Sequence, residues 1–299
     1  MEQVELGPSG IRVSRVGLGG NNFGGRIDFE ATRAVVEAAL DAGITFFDTA
    51  ETYGGGSSER FLGELLEGRR EQVVLATKFG WARDRGFGDA EYVRSAIAGS
   101  LERLRTDYVD LYYLHKPDPE TRIAETLRAL DELVRAGKVR AIGCSNFSAE
   151  QLAEADRAAR ESGTTRFAVV QNRYSLLRRD DDAGVLPLCL ELGLGYIPYF
   201  PLASGLLTGK YRRGEPVPEG TRLAGRPIDD ADLEGVERLE RFASERGHTL
   251  LELAISALAS TPGITSVIAG ATKPEQVRAN AASAGWRLDA DALTALAAI

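Results

Sequence analysis

The sequence predicts a closed (β/α)8 barrel, and three observations point there. Short apolar runs rich in β-branched or aromatic residues recur eight times along 299 residues. Longer stretches with helical apolar spacing separate them, so the order is strand then helix, repeated. Through the seventh run the starts lie roughly 30 residues apart, the length of one strand–helix–strand step. A doubly wound open sheet is the competing architecture; eight units favour closure.

The elements follow in order. Val4–Leu6 and Ile11–Val13 bracket the turn-rich Gly7-Pro8-Ser9-Gly10, a small hairpin expected to plug the barrel floor. The eight strands are read at Val16–Gly19, Ile44–Asp48, Val73–Lys78, Tyr108–His115, Val139–Gly143, Ala168–Gln171, Leu194–Tyr199 and Thr265–Ala269. Helical spacing is carried by Ala34, Val35, Ala38 and Ala39, by Tyr92, Val93, Ala96, Ile97, Leu101 and Leu104, and by Ile123, Leu127, Leu130, Leu133 and Val134. Gly43 and Gly137 follow the last periodic residues, as helix C-terminal glycines do. Between strands seven and eight the spacing widens. A long loop, Gly209–Pro227, is followed by helices at Asp230–Glu245 and Thr249–Ala259, one more than the repeat requires. One domain spanning residues 1–299 is expected.

Composition narrows the function. With 36 basic and 44 acidic residues the net charge is −8, so no net positive field holds nucleic acid or an anionic membrane. Two cysteines, Cys144 and Cys189, are too few for a zinc ribbon or disulfide framework, and two histidines, His115 and His248, rule out a multi-histidine metal site. No signal-peptide core or membrane-length apolar run occurs, so a cytoplasmic protein acting on a small molecule is expected.

Polar residues end the core strands: Asp48, Lys78, His115, Ser145 with Asn146, Gln171 and Tyr199. Singly, each has a structural reading as an ion pair, a satisfied core histidine or a turn cap. Together they form one rim, the rim where barrels place their sites. The ends of strands two to four are neighbours, so Asp48, Lys78 and His115 converge on Tyr53, just past strand two. That set suits proton donation by a phenol. An ammonium would lower the tyrosine pKa toward working pH, a carboxylate would fix the ammonium, and Tyr53 and His115 would donate to oxygen charge developing on a carbonyl.

Asp48, Tyr53, Lys78 and His115, in that order and at those strand ends, resemble the catalytic tetrad of the aldo-keto reductase superfamily. The surroundings agree, in Asp48-Thr49-Ala50, Tyr53-Gly54, Thr77-Lys78, Leu114-His115 and Gly143-Cys144-Ser145-Asn146-Phe147, and similarity runs from Gly17-Leu18-Gly19 to Gly270-Ala271-Thr272-Lys273. The resemblance implies reversible reduction of an aldehyde or ketone with hydride from a nicotinamide and the proton from Tyr53. By it, Ser145, Asn146 and Gln171 hold the carboxamide and Tyr199 stacks on the ring. Phe200, Pro201, Leu202 and Ser204 belong to the loop beside the pyrophosphate, and Lys210 and Arg222 bind phosphate. Gly20 and Asn21 belong to a loop that approaches the ribose, Asp48 also borders the cofactor, Gly270, Thr272 and Lys273 follow strand eight, and Gln276 and Asn280 contact adenine. A lysine at 273 places a point charge for a 2′-phosphate, so NADPH is favoured over NADH.

Three departures stand out. The first-strand loop reads Gly20-Asn21-Asn22-Phe23-Gly24, where relatives often carry threonine or a bulkier side chain. Gln276 replaces an arginine of some branches, so 2′-phosphate recognition falls to Lys273, Lys210 and Arg222. The chain ends at Ile299 without a long C-terminal loop, so selectivity is expected from other loops such as Trp81 to Phe87, with Trp81 and Arg83 at the substrate mouth. His248 is read as a helix cap, and Cys144 as inert. Two rivals remain: a nicotinamide-binding sensor or regulatory subunit, as in the potassium-channel β-subunit branch, and a Schiff-base barrel using Lys78 as nucleophile.

Overall fold

The fold is built from interior columns of side chains, each apolar at its base and polar at its top. A computed structural model of the protein describes residues 1–299. Eight parallel strands close a barrel: β3 (Val16–Gly19), β4 (Phe46–Asp48), β5 (Val74–Phe79), β6 (Val109–Leu114), β7 (Val139–Ser145), β8 (Val169–Arg173), β9 (Gly195–Tyr199) and β10 (Val267–Gly270). Closure is by β10, which pairs with β3 (Gly270 opposite Gly19) and with β9 (Ile268 opposite Tyr199). Side chains alternate along a strand, so inward positions recur every second residue. Phe46, Val74, Ala76, Leu111, Tyr113, Ala141, Val169, Ile197 and Ile268 form one buried cluster inside the barrel. The next inward positions are Asp48, Lys78, His115, Ser145, Gln171, Tyr199 and Gly270. The period of two thus puts the polar rim on top of the apolar plug.

The floor is sealed by the expected hairpin. Strands β1 (Gln3–Glu5) and β2 (Arg12–Ser14) pair antiparallel, Val4 opposite Val13, one residue off the sequence reading. Leu6, Ile11 and Val13 join the interior cluster from below. Gly7 makes the turn at φ +53°, and a Cβ there would lie 2.1 Å from the Ala168 carbonyl oxygen, so only glycine fits.

Helices cover the outside: α1 (Phe29–Asp41), α2 (Ser57–Leu65), α3 (Ala90–Leu104), α4 (Ile123–Arg135), α5 (Ala149–Ser162), α6 (Val185–Leu192), α7 (Asp230–Ser244), α8 (Leu250–Ser260), α9 (Pro274–Ala282) and α10 (Ala290–Ala297). Their starts are written in the sequence. Asp28, Asp89, Asp229 and Asp289 accept backbone N–H groups at their first turns, and Ser148 with Gln151 and Thr249 with Glu252 form capping boxes. One sequence reading is corrected here. His248 is not the cap of α8: Thr249 is, because its hydroxyl reaches the Glu252 N–H, while the His248 ring stacks on Trp286 at 3.9 Å. The extra helix is α7, and it packs with α8 around Leu206, Leu207 and Tyr211 at the start of the long loop. No helix is long and apolar enough to cross a membrane.

Candidate active site

Register brings the first two site residues together. Asp48 lies opposite Ala76, and Lys78 stands two residues further along β5 on the same inward face. Lys78 is fully buried and donates to Asp48 Oδ2 at 2.5 Å and to the Thr49 carbonyl at 2.9 Å. Its Nζ also sits 5.3 Å from the Tyr53 ring centroid. Burial opposes the ammonium, but Asp48 and Tyr53 outweigh it and hold the Lys78 pKa above its ordinary value.

Tyr53 opens a tight turn after β4, with Gly54 at φ +58°, where a Cβ would meet the Phe23 carbonyl at 2.4 Å. The sequence reading of its acidity is corrected. Burial raises the phenol pKa more than Lys78 lowers it, and Asp48 adds to the rise, so the group stays above its ordinary value. Facing it, the His115 ring lies 6.0 Å away, edge-on. Burial, then Lys78 and Lys116, pull the His115 pKa down to about 2, so the imidazole is neutral, and its buried Nδ1 has no partner. The arrangement offers a neutral phenol, a neutral imidazole and a fixed ammonium behind them.

A hydrogen-bond chain links this group to the far rim. Gln171 donates from its amide to Asp48 Oδ1 at 3.1 Å, and Ser145 Oγ donates to the Gln171 carbonyl at 2.6 Å. Asn146 Nδ2 donates to Ser145 Oγ and to the His115 carbonyl, and Tyr199 donates from its hydroxyl to Asn146 Oδ1 at 2.7 Å. Four of the five non-glycine residues at positive φ are Asn146, Phe200, Ala203 and Ser204, all on this rim. Strained backbone concentrated in one place marks a surface shaped for contact.

A cavity of about 1390 Å³ runs from this group across the top of the barrel. It brings together Asn21, Asp48, Tyr53, His115, Ser145, Asn146, Gln171, Tyr199, Phe200, Pro201, Leu202, Ser204, Lys210, Arg222, Gly270, Thr272, Lys273, Gln276 and Asn280, with Trp81 at one end. Lys78 lies beneath the wall. Two expectations fail. Gly20 does not border the cavity; its N–H bonds the Asp48 carbonyl, its own carbonyl accepts from Ser58 Oγ, and a Cβ would strike that Oγ at 2.7 Å. Arg83 lies over the Tyr92 ring at 4.4 Å instead of lining the mouth. Gln276 borders the cavity but turns Oε1 back to the Thr272 N–H and hydroxyl.

The cavity also has residues that the sequence reading missed, chiefly Asn22 and Arg26 on the loop after β3. Asn22 donates to the Ala271 carbonyl while its Oδ1 is buried without a partner. Arg26 and Arg226 lie close enough to Arg222 to join burial in lowering its pKa. No carboxylate lies within ion-pair reach of Arg26, Lys210 or Arg222, and Lys273 has only Glu275, at 3.9 Å. The one sequence signal for Arg26 was its place seven residues after the first strand's last glycine, on the site rim.

These residues fit a dinucleotide. One end of the cavity carries amides and hydroxyls suited to a neutral amide, cations without a close carboxylate suited to phosphates border it too, and Asn22, whose Oδ1 has no partner, is among its lining residues.

Comparison with known proteins gives the family. A family model described as the aldo/keto reductase family matches residues 15–299. The chain is 38% identical over 297 residues to a probable voltage-gated potassium channel subunit beta of Oryza sativa subsp. japonica, covering 94% of this chain and 90% of that protein. It is 37% identical to the aldo-keto reductase YhdN of Bacillus subtilis (97% and 91% covered) and 35% identical to the L-glyceraldehyde 3-phosphate reductase of Escherichia coli K12 (94% and 86%). Both the barrel with its polar rim and these matches over nearly the whole chain lead to one assignment: the protein belongs to the aldo/keto reductase family.

Proposed function

We propose that this oxidoreductase reduces aldehydes or ketones to alcohols with NADPH, reversibly, and that residues 1–299 act as one domain. The observation that carries the reading is the buried Lys78, bonded to Asp48 and set behind Tyr53, with neutral His115 opposite at the end of the cavity. When bound, the reduced nicotinamide supplies the hydride. Ser145, Asn146 and Gln171 hold its carboxamide, Tyr199 packs against its ring, and Lys210 and Arg222 take the phosphates. Lys273 takes a 2′-phosphate, which favours NADPH, and Gln276 and Asn280 border adenine.

Tyr53 gives its proton to the carbonyl oxygen as negative charge develops there, and Lys78 stabilises the phenolate that results. Asp48 keeps Lys78 charged and placed. Neutral His115 donates a hydrogen bond to the same oxygen and so orients the carbonyl. Lys78 spends its protons on Asp48 and Thr49, which argues against its use as a Schiff-base nucleophile.

The test is Tyr53→Phe. The variant should bind NADPH as wild type does, by fluorescence titration, while kcat with an aldehyde panel falls by about 10²–10⁴-fold. Retained turnover would remove Tyr53 from its role. The similarity to the rice channel subunit favours a second reading, a nicotinamide-binding sensor; wild-type protein that binds NADPH tightly and turns over no aldehyde would establish that one instead.

A further inference from the structure

Behind Trp81, at the His115 end of the cavity, stands a cation with no carboxylate within 4.0 Å, near enough for its charge to act on His115. Trp81 borders the cavity and is 52% exposed, and its indole stands 4.8 Å from the His115 ring. On the same indole, 5.3 Å from its centre, stands Lys116 Nζ, which also lies 5.1 Å from the Phe87 ring. The backbone around Lys116 is fixed. The His115 N–H bonds the Phe79 carbonyl, the His115 carbonyl accepts from Asn146, and Pro117 follows.

Four acidic residues of the surrounding loops and strand ends are bonded elsewhere. Asp118 accepts the Gly86, Gly88 and Glu120 N–H groups, Glu120 pairs with Arg85 at 3.0 Å, and Glu51 accepts from the Gly80 N–H and the Tyr92 hydroxyl. Asp48 is bonded to Lys78. Lys116 is therefore a half-buried ammonium held between two aromatic faces, with no carboxylate within 4.0 Å, one indole away from the imidazole that faces the carbonyl site. In a chain of net charge −8 that is a place for an anion from outside the protein.

We propose that Lys116, with Trp81, selects aldehydes that carry an anionic group, carboxylate or phosphate, a few bonds from the carbonyl. The carbonyl end reaches Tyr53 and His115, the carbon chain lies on the indole, and the anion meets the ammonium at the rim. Lys116 acts through binding alone, so its effect belongs in KM. The inference rests on the reductase reading above.

Steady-state kinetics with two matched pairs test it: succinic semialdehyde against butanal, and glyceraldehyde 3-phosphate against glyceraldehyde. Wild type should prefer the anionic member of at least one pair by about tenfold in kcat/KM, the scale of one charge-assisted contact. The pair with the larger ratio tells carboxylate from phosphate. Lys116→Met keeps the apolar stem on Trp81 and should abolish the preference through KM, with the neutral aldehydes unchanged; Lys116→Arg should keep most of it. Equal wild-type rates within both pairs overturn the proposal. So does a Lys116→Met variant that loses neutral and anionic substrates alike, which would make Lys116 a brace for the Trp81 loop. Failure of wild type to turn over even the neutral aldehydes would instead defeat the reductase reading, and this inference with it.

Discussion

At the scale of single residues the proposed chemistry depends on protonation states. In the proposed reduction Tyr53 donates as a phenol, and burial keeps it one: its pKa stays above the ordinary value of 10.0. Reduction should therefore be flat through neutral pH and fall only in an alkaline limb, while alcohol oxidation, which needs phenolate, should climb with pH. Lys78→Met removes the group that lowers the tyrosine pKa. Its residual activity should show the alkaline limb shifted further up, and an unshifted limb would show that Tyr53 does not feel Lys78. His115 supplies a stability test. Its pKa falls from 6.5 toward about 2 on folding, so below pH 6.5 the unfolded chain takes up a proton that the folded chain refuses. Stability should drop as pH falls, by about 1.4 kcal/mol per unit from this group. Denaturant unfolding of wild type and His115→Gln at pH 7 and pH 5 isolates it, because other groups cancel; the variant should lose less. Which residues meet was legible from polar types at strand ends. The direction of the Tyr53 shift was not, since it depends on how much water the folded wall removes.

Loops and their anchors decide what the cavity holds. Leu206, Leu207 and Tyr211 pack onto α7 and α8, so Lys210 projects from a fixed start, its Nζ 5.3 Å from the Tyr211 ring. Arg222 is held over the Phe200 ring at 5.1 Å. Arg26 arrives from the loop after β3, a distant point in the chain that barrel closure makes a neighbour. The resemblance named Lys210 and Arg222 but not Arg26, whose only signal was its place on the loop after the first barrel strand. Arg26 adds to the burial that lowers the Arg222 pKa, a like-charge repulsion that an arriving anion would relieve. Arg26→Gln should weaken NADPH binding about fivefold, as expected for one partly exposed charge contact. The loss should shrink as salt rises. Unchanged affinity at low salt would assign the phosphates to Lys210 and Arg222 alone.

The whole molecule separates stability from chemistry along the barrel axis. Strand periodicity made this legible: Phe46 then Asp48, Ala76 then Lys78, Val169 then Gln171 step from apolar to polar on one inward face. The floor was legible too, since Gly7-Pro8-Ser9-Gly10 between two apolar stretches reads as a hairpin. His248 was misread because a histidine and a threonine side by side are both plausible before a helix, and only the hydroxyl reaches the N–H of Glu252. Leu6 and Ile11 fill the base of the columns, far along the strands from Tyr53. Truncating either leaves a cavity in the plug that the closed strands cannot collapse around. Leu6→Ala and Ile11→Ala should each cost about 2–5 kcal/mol in denaturant unfolding. Below the transition, kcat and KM should match wild type, since no rim residue loses a contact. If instead both constants shift while stability holds, the apolar plug and the polar rim are coupled, and the floor hairpin helps to set the geometry of Lys78 and Asp48.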